Sequence, residues 1–68
     1  MENLIEGLQR QMSRVREIIT EYKSLPKNAG ALAAIMMEQS IKNAENQIAM
    51  GDTIEMIKAY SELETYEL

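Results

Sequence analysis

The stretch SLPKNAGALAAIMMEQ, residues 24–39, decides the fold because its proline, the only one in the chain, interrupts an otherwise helical sequence. Pro26 disfavours helical backbone at the residue before it, so a first helix must end near Ser24. Small residues follow the proline, and a bulky apolar group follows them. This order suits close packing between helices, and it equally suits a bare helix start that an anion can approach.

Helical periodicity is strong before the proline. Apolar residues recur there every three or four positions, which places them on one face of a helix. The members of this stripe are Leu4, Leu8, Met12, Val15, Ile19 and Tyr22. The opposite face is charged, and its spacing predicts the ion pairs Glu6–Arg10 and Arg14–Glu17. Asn3 fits the N-cap position, and we therefore expect a first helix over residues 3–24 with a salt-bridged outer face.

The second helix is expected over residues 27–50. Pro26 fits its first turn, Asn28 fits the N-cap position, and Gly51 supplies the left-handed residue that commonly follows a helix. The first turns are apolar on every side over residues 31–37, which one neighbouring helix cannot cover. We therefore expect a second subunit to cover the remaining side.

The motif GDTIE, residues 51–55, predicts the start of a third helix over residues 53–65. Asp52 is in position to cap this helix, and Glu55 is in position to complete a capping box. Strand patterns and hairpin turns are absent from the sequence. The chain is therefore expected to be one all-α domain, residues 1–68, in which two long helices and a shorter C-terminal helix pack antiparallel.

The chain has no cross-link to compensate for its small size. Its 68 residues contain neither cysteine nor histidine, so disulfides are excluded and a structural metal site is not expected. Domains this small bury a modest fraction of their surface, yet 46% of the residues are hydrophobic. We therefore expect a homo-oligomeric helical bundle, with the methionines Met36, Met37, Met50 and Met56 chiefly filling the core.

The charge of the chain argues against nucleic acid polymers as partners. The net charge is −4, although residues 1–34 hold five basic against four acidic groups. The longest uncharged apolar run, AGALAAIMM at residues 29–37, has nine residues, too few to span a bilayer. The start of the chain lacks the apolar segment of a secretion signal. These features favour a cytoplasmic protein with no membrane association.

Catalytic chemistry is not expected. Histidine, the usual base near neutral pH, and cysteine, the usual thiol nucleophile, are missing, so the serines have no partner to activate them. The three glycines are isolated and form no nucleotide-binding fingerprint. The chain is therefore expected to be a binding or structural protein without metal or cofactor.

The strongest argument for binding comes from the predicted start of the second helix. Unpaired backbone N–H groups there favour phosphate or carboxylate, small residues allow close approach, and basic side chains flank the turn. Tyr22, next to the turn, offers its ring for stacking on a base. The candidate ligand-binding residues are Arg16, Tyr22, Lys23, Lys27, Asn28, Gly30 and Tyr60. The competing interpretation is that the small residues serve helix packing, the lysines are solvated and the tyrosines complete the core.

Residues 22–64 resemble a group of small helical proteins encoded in accessory regions of tailed bacteriophages and prophages. The resemblance rests on a Pro–x–Asn–x–Gly turn, a Met–x–Glu or Ile–Glu–Gln step, an acidic helix that contains alanine, and Gly–Asp followed by Met–Ile and Tyr. The matching positions are Pro26, Asn28, Gly30, Met37, Glu38, Gln39, Ala44, Glu45, Gly51, Asp52, Met56, Ile57 and Tyr60. Several proteins of this type counteract host immunity, some as oligomeric sponges that hold signalling nucleotides without cleaving them.

This resemblance implies a phage counter-defence protein that acts in the cytoplasm of the host cell. It would sequester a nucleotide-derived immune second messenger, of the cyclic dinucleotide or cyclic ADP-ribose type, at pockets between subunits. The alternative is a small helical oligomer that binds and inhibits a host protein through a methionine-rich apolar face. A third interpretation is a structural oligomer without a ligand.

Overall fold

The computed structural model describes residues 1–67, and its three α-helices pack against one another. Helix α1 spans Leu4–Lys23, α2 spans Ala31–Met50 and α3 spans Thr53–Glu64, and a 3₁₀ turn, Pro26–Asn28, joins the first two. No strand occurs in the described residues. The prediction of an all-helical fold built from three helices is confirmed.

Helices α1 and α2 are antiparallel. Lys23 pairs with Glu38 at 2.5 Å and Arg16 pairs with Glu45 at 3.6 Å. Residues later in α1 therefore face residues earlier in α2. All four side chains are about half exposed, and each pair therefore contributes at most about 1 kcal/mol to stability. The pairs identify the facing edges of the two helices.

Helix α3 runs parallel to α1 and closes the bundle. Arg10 donates to the Tyr60 hydroxyl at 2.8 Å, and Arg14 donates to the Leu63 and Tyr66 carbonyls at 2.8 and 2.7 Å. The predicted ion pairs of these two arginines with glutamates of their own helix are wrong. A guanidinium group donates several hydrogen bonds in a fixed plane, which suits it to joining two helices.

Among residues 1–67, twelve apolar side chains form one buried core between the three helices. They are Leu8, Met12, Val15, Ile18, Ile19, Ala34, Met37, Ile41, Ala44, Met56, Ala59 and Leu63. The predicted stripe of the first helix lies in this core or packs against it. Ile18, which is not part of the stripe, is buried in the core as well. The alanines of α2 and α3 leave room for the larger side chains of α1, as dense packing requires.

Helix α2 begins at Ala31, later than the predicted position at residue 27. Lys27 and Asn28 both have a φ of 58°, so the backbone turns left-handed where helix was expected. Asparagine tolerates this conformation better than most residues, and the residue interpreted as an N-cap therefore belongs to the turn. Gly30 occupies the N-cap position, without a side-chain cap.

The starts of α1 and α3 follow the sequence more closely. Asn3 and Glu6 form a reciprocal capping box with N–O distances of 2.8 and 3.1 Å. At α3, Asp52 accepts a hydrogen bond from the Glu55 N–H at 3.1 Å, as predicted. The Glu55 carboxylate pairs with Lys58 at 3.3 Å instead of completing the predicted box.

The methionines expected in the core are divided between core and surface. Met37 and Met56 are buried, whereas Met36 and Met50 expose 54% and 74% of their surface. The reason is geometric, since the bundle offers α2 neighbours on one side only. The outer side of α2 therefore keeps large apolar side chains in contact with solvent.

Candidate functional site

A cavity of about 280 Å³ opens at the turn between α1 and α2. Side chains from the end of α1, from the 3₁₀ turn and from the start of α2 surround it. They include Tyr22, Lys23, Asn28, Ala31, Ile35 and Glu38. Three of the seven predicted site residues, Tyr22, Lys23 and Asn28, therefore meet in one place.

Gly30 brings the start of α2 against the backbone of α1. It is buried, and a Cβ at this position would lie 2.9 Å from both the carbonyl carbon and the Cβ of Tyr22. Its φ of −99° is open to any residue, so space rather than backbone conformation requires glycine here. For this residue the geometry favours the packing interpretation over an open approach for a ligand.

Opposite charges face each other at the cavity. The Lys23 ammonium lies 2.5 Å from a Glu38 carboxylate oxygen, and both side chains are about half exposed. The Tyr22 hydroxyl donates to the Glu67 carbonyl at 3.3 Å, so the segment after α3 reaches the same region. An anion entering the cavity would meet an ammonium group that is already paired with a carboxylate.

The first turn of α2 adds backbone donors to the cavity. The N–H groups at a helix start have no acceptor within the helix, and Gly30 provides no side-chain cap. Ala31, the first residue of α2, is exposed and lines the cavity. The positive end of a 20-residue helix therefore borders the cavity.

The other predicted site residues lie elsewhere. Lys27 is exposed on the 3₁₀ turn and does not line the cavity. Arg16, about 9 Å from Tyr22 along α1, lies in a separate groove between α1 and α2. Tyr60 binds Arg10, which is about 18 Å from Tyr22 along the same helix. The predicted site is thus divided among several places.

Tyr60 belongs to a cluster near the start of α1. Arg10 donates to Glu2 at 2.9 Å and to the Tyr60 hydroxyl at 2.8 Å. Hydrogen bonds to Glu2, the larger cause, and to Tyr60, the smaller one, raise the pKa of Arg10 above its ordinary value. These hydrogen bonds join α3 to the start of α1.

A second polar cluster lies between α2 and α3. The buried Ser40 hydroxyl lies 2.8 Å from a Glu62 carboxylate oxygen and 2.8 Å from the Tyr66 hydroxyl. A serine becomes a strong nucleophile when a base such as histidine takes its proton, and a carboxylate is a weak substitute. The cluster therefore satisfies the buried Ser40 hydroxyl and joins the segment after α3 to α2.

Two cavity residues, Ile35 and Glu38, are not among the ligand-binding residues predicted from the sequence. Ile35 belongs to an apolar run that resembles core, and Glu38 belongs to a polar face that resembles solvated surface. No sequence signal identifies Glu38, because Lys23 is the last residue of α1 whereas Glu38 is the eighth residue of α2. Only the register of the two packed helices brings the two side chains together.

Comparisons with protein families, curated proteins and solved structures find no match to this chain. Its function is therefore argued from the residues and the geometry above. Within residues 1–67, no helix is long and apolar enough to cross a membrane. Over the same residues, no three acidic or other metal-ligating side chains come together.

Proposed function

We propose that this chain is a non-catalytic binding protein that holds a nucleotide-derived ligand in the cavity between α1 and α2. From the resemblance to phage accessory proteins, the ligand class is an immune second messenger, a cyclic dinucleotide or a cyclic ADP-ribose, sequestered in the host cytoplasm without cleavage. One observation carries the proposal. An aromatic ring, an ammonium group, an amide and a helix start surround a single cavity.

Tyr22 and Lys23 supply complementary contacts to such a ligand. Tyr22 is half-buried and packs against the core, so its ring is held in place before a ligand arrives. Stacking of a base on an aromatic side chain contributes about 1–3 kcal/mol. Lys23 and the N–H groups at the start of α2 favour the phosphate of the same ligand.

Glu38 favours a nucleotide over plain phosphate. When a phosphate takes the place of the Glu38 carboxylate on Lys23, the carboxylate needs a new hydrogen-bond donor. Ribose hydroxyls and base N–H groups are such donors, because an ionised carboxylate only accepts hydrogen bonds. Inorganic phosphate offers little to Glu38 and is repelled by its charge.

The volume of the cavity limits how much of the ligand one chain can hold. About 280 Å³ is at the lower end of ligand pockets, which span about 300–1,000 Å³. A cyclic dinucleotide has two nucleotide units, and a cavity of this size suits one of them. The proposal therefore includes a homo-oligomer in which a second copy continues the cavity.

Isothermal titration calorimetry of the full chain against cyclic dinucleotides, cyclic ADP-ribose isomers and inorganic phosphate tests this function. We expect at least one nucleotide to bind with a Kd below about 10 μM, and phosphate to bind far more weakly. Lys23→Gln should weaken nucleotide binding at least about 10-fold, because it removes a charge-assisted hydrogen bond. The matched variant Lys27→Gln removes an equal charge outside the cavity and should change affinity by less than about 2-fold.

Two results would refute the nucleotide proposal. One is the absence of binding by every nucleotide at tens of micromolar. The other is an equal loss in the two lysine variants, which would mean that overall charge rather than the cavity controls binding.

A second candidate function is inhibition of a host protein through an exposed apolar face. The observation behind it is that Leu32, Ile35 and Met36, neighbours on α2, expose 71, 52 and 54% of their surface. Met56 does not belong to this face, because it is buried. A purified host complex of fixed stoichiometry that survives Lys23→Gln but is lost with Met36→Glu would favour this function.

A further inference from the structure

We propose that the outer face of α2 forms an antiparallel, two-fold contact with a second copy of this chain. This specifies the self-association proposed above and does not depend on the nucleotide. Three features of α2 support it: the scarcity of charge on its surface, the placement of its exposed apolar side chains, and the position of Lys42 relative to Glu38.

The exposed surface of α2 carries little charge. Six of the ten exposed residues of α1 are charged, but only three of the twelve exposed residues of α2 are. Two of those three, Glu38 and Glu45, face α1 and pair with Lys23 and Arg16. Depletion of charge at the centre of a surface patch is characteristic of protein interfaces.

Apolar side chains lie at both ends of this face. Leu32, Ile35 and Met36 are more than half exposed in the first two turns, and Met50 is 74% exposed in the last turn. Exposed amide side chains separate the two ends, namely Gln39, Asn43 and Asn46. An antiparallel second copy would cover the start of one helix with the end of the other.

One antiparallel register makes the face complementary to itself. In this register Leu32 opposes Met50 of the second copy, so the apolar ends cover each other. The same register opposes Gln39 to Asn43, and amides can both donate and accept hydrogen bonds. A two-fold axis repeats each contact, so one patch on each chain forms the whole interface.

Lys42 and Glu38 add charge complementarity in this register. Within one chain both line a shallow groove on the side of α2 nearest α1. A two-fold axis perpendicular to the paired helices keeps this side next to the same side of the second copy. Lys42 then lies about 3 Å along the helix axis from the opposite Glu38. In a parallel two-fold pair, whose axis runs along the helices, Lys42 and the Glu38 of the second copy would lie on opposite flanks of the contact and could not pair.

The contact also bears on the cavity. Ile35 lines the cavity and belongs to the outer face of α2, so a second copy on this face lies at the cavity edge. In the register above, residues 46–50 of the second copy come closest to it. Asn46 is the exposed residue of that segment with an amide to offer a ligand, whereas the partly buried Gln47 amide donates to Asn43.

Helix α3 offers a smaller exposed apolar patch. Ile54 and Ile57 expose 68 and 53% of their surface. Glu55 and Lys58 lie beside them and pair with each other, so this patch is bordered by charge. We therefore assign the second copy to α2.

Disulfide cross-linking tests the register directly, because the native chain has no cysteine. Leu32→Cys and Met50→Cys chains, mixed and oxidised, should form a mixed disulfide. Each variant alone should form none, because its two cysteines would lie about 27 Å apart in the antiparallel pair, far beyond disulfide reach. Ser61→Cys, exposed on α3, is the matched control and should cross-link to neither. A Leu32→Cys homodisulfide that forms as readily as the mixed one would overturn the antiparallel register.

Light scattering of the full chain tests the face itself. The native chain should be dimeric or larger at micromolar concentration. Met36→Glu should raise the dimer Kd at least about 100-fold, because each dimer would bury two added carboxylates. Ser61→Glu adds the same charge on α3 and should leave the dimer unchanged. A monomeric native chain, or equal effects of the two variants, would overturn the proposal. A monomer that still binds a nucleotide would overturn this contact and the oligomer of the proposed function, but not the nucleotide as ligand, whereas a dimer that binds none would overturn the nucleotide proposal alone.

Discussion

Replacing Gly30 by alanine should destabilise the protein more than the same change at the helical glycine of α1. The added Cβ would lie 2.9 Å from the Tyr22 carbonyl carbon, and the obstacle is backbone that cannot rotate away. Either α2 must move off α1 or the last turn of α1 must distort. Overpacking of this kind costs about 1–3 kcal/mol.

That cost is large for a chain of this size. At about 0.05–0.15 kcal/mol per residue, a 68-residue domain has a total stability of about 3–10 kcal/mol. A loss of about 1–3 kcal/mol should lower Tm by about 5–20 °C, since each kcal/mol shifts a small domain by about 4–8 °C. Circular dichroism at fixed protein concentration measures this shift, because self-association would otherwise change Tm with concentration.

The other two glycines provide matched controls with different physical causes. Gly7→Ala adds a Cβ 3.1 Å from the Tyr60 ring, but a side chain can yield, and alanine gains about 1 kcal/mol of helix propensity. We expect little change or a small stabilisation. Gly51→Ala meets open space but has a φ of 70°, so it should cost about 1–2 kcal/mol through backbone conformation alone. A Gly30→Ala variant within about 0.5 kcal/mol of the native chain would refute the steric reasoning, since overpacking costs more.

Three further substitutions test the contacts that hold the bundle together, each by denaturant unfolding. Arg14→Met should cost about 1–3 kcal/mol and speed amide exchange at the end of α3, because it removes the donors to the Leu63 and Tyr66 carbonyls. Asp52→Ala should cost about 0.5–2 kcal/mol as a lost N-cap, while Asp52→Asn should be nearly neutral. Lys23→Met should cost less than about 1 kcal/mol, because the Glu38 pair is half exposed, and a larger loss would contradict that account.

The helices themselves are predictable because their signals are local. The stripe from Leu4 to Tyr22 and the caps at Asn3 and Asp52 depend only on residues within a turn or two, and the structure has each of them. The start of α2 is less predictable because Asn28 suits two local roles. An asparagine after a proline can cap a helix or adopt left-handed backbone, and only the approach of α1 and α2 at Gly30 decides between them.

The candidate site is less predictable than the fold because it depends on which helix edges face each other. Lys23 and Tyr22, which lie beside the turn in the sequence, line the cavity. Arg16 and Tyr60 lie elsewhere, and sequence spacing does not reveal that their partners are Glu45 and Arg10. Such pairings follow from the antiparallel register of α1 against α2 and from the orientation of α3, which runs parallel to α1.

The proposed contact and the proposed ligand act on the same small region, so their equilibria must be coupled. A second copy over Ile35 would reduce solvent access to the Lys23–Glu38 pair and strengthen its electrostatics. A ligand that takes Lys23 must then compete with a stronger ion pair, but it gains contacts from the second copy and a better-defined cavity. By linkage, the ligand changes the dimer Kd by the same factor as dimerisation changes the ligand Kd, and the larger of the two effects decides the direction of that change. If ligand tightens the dimer, dimerisation must tighten ligand binding by the same factor, and a ligand that prefers the monomer must weaken the dimer.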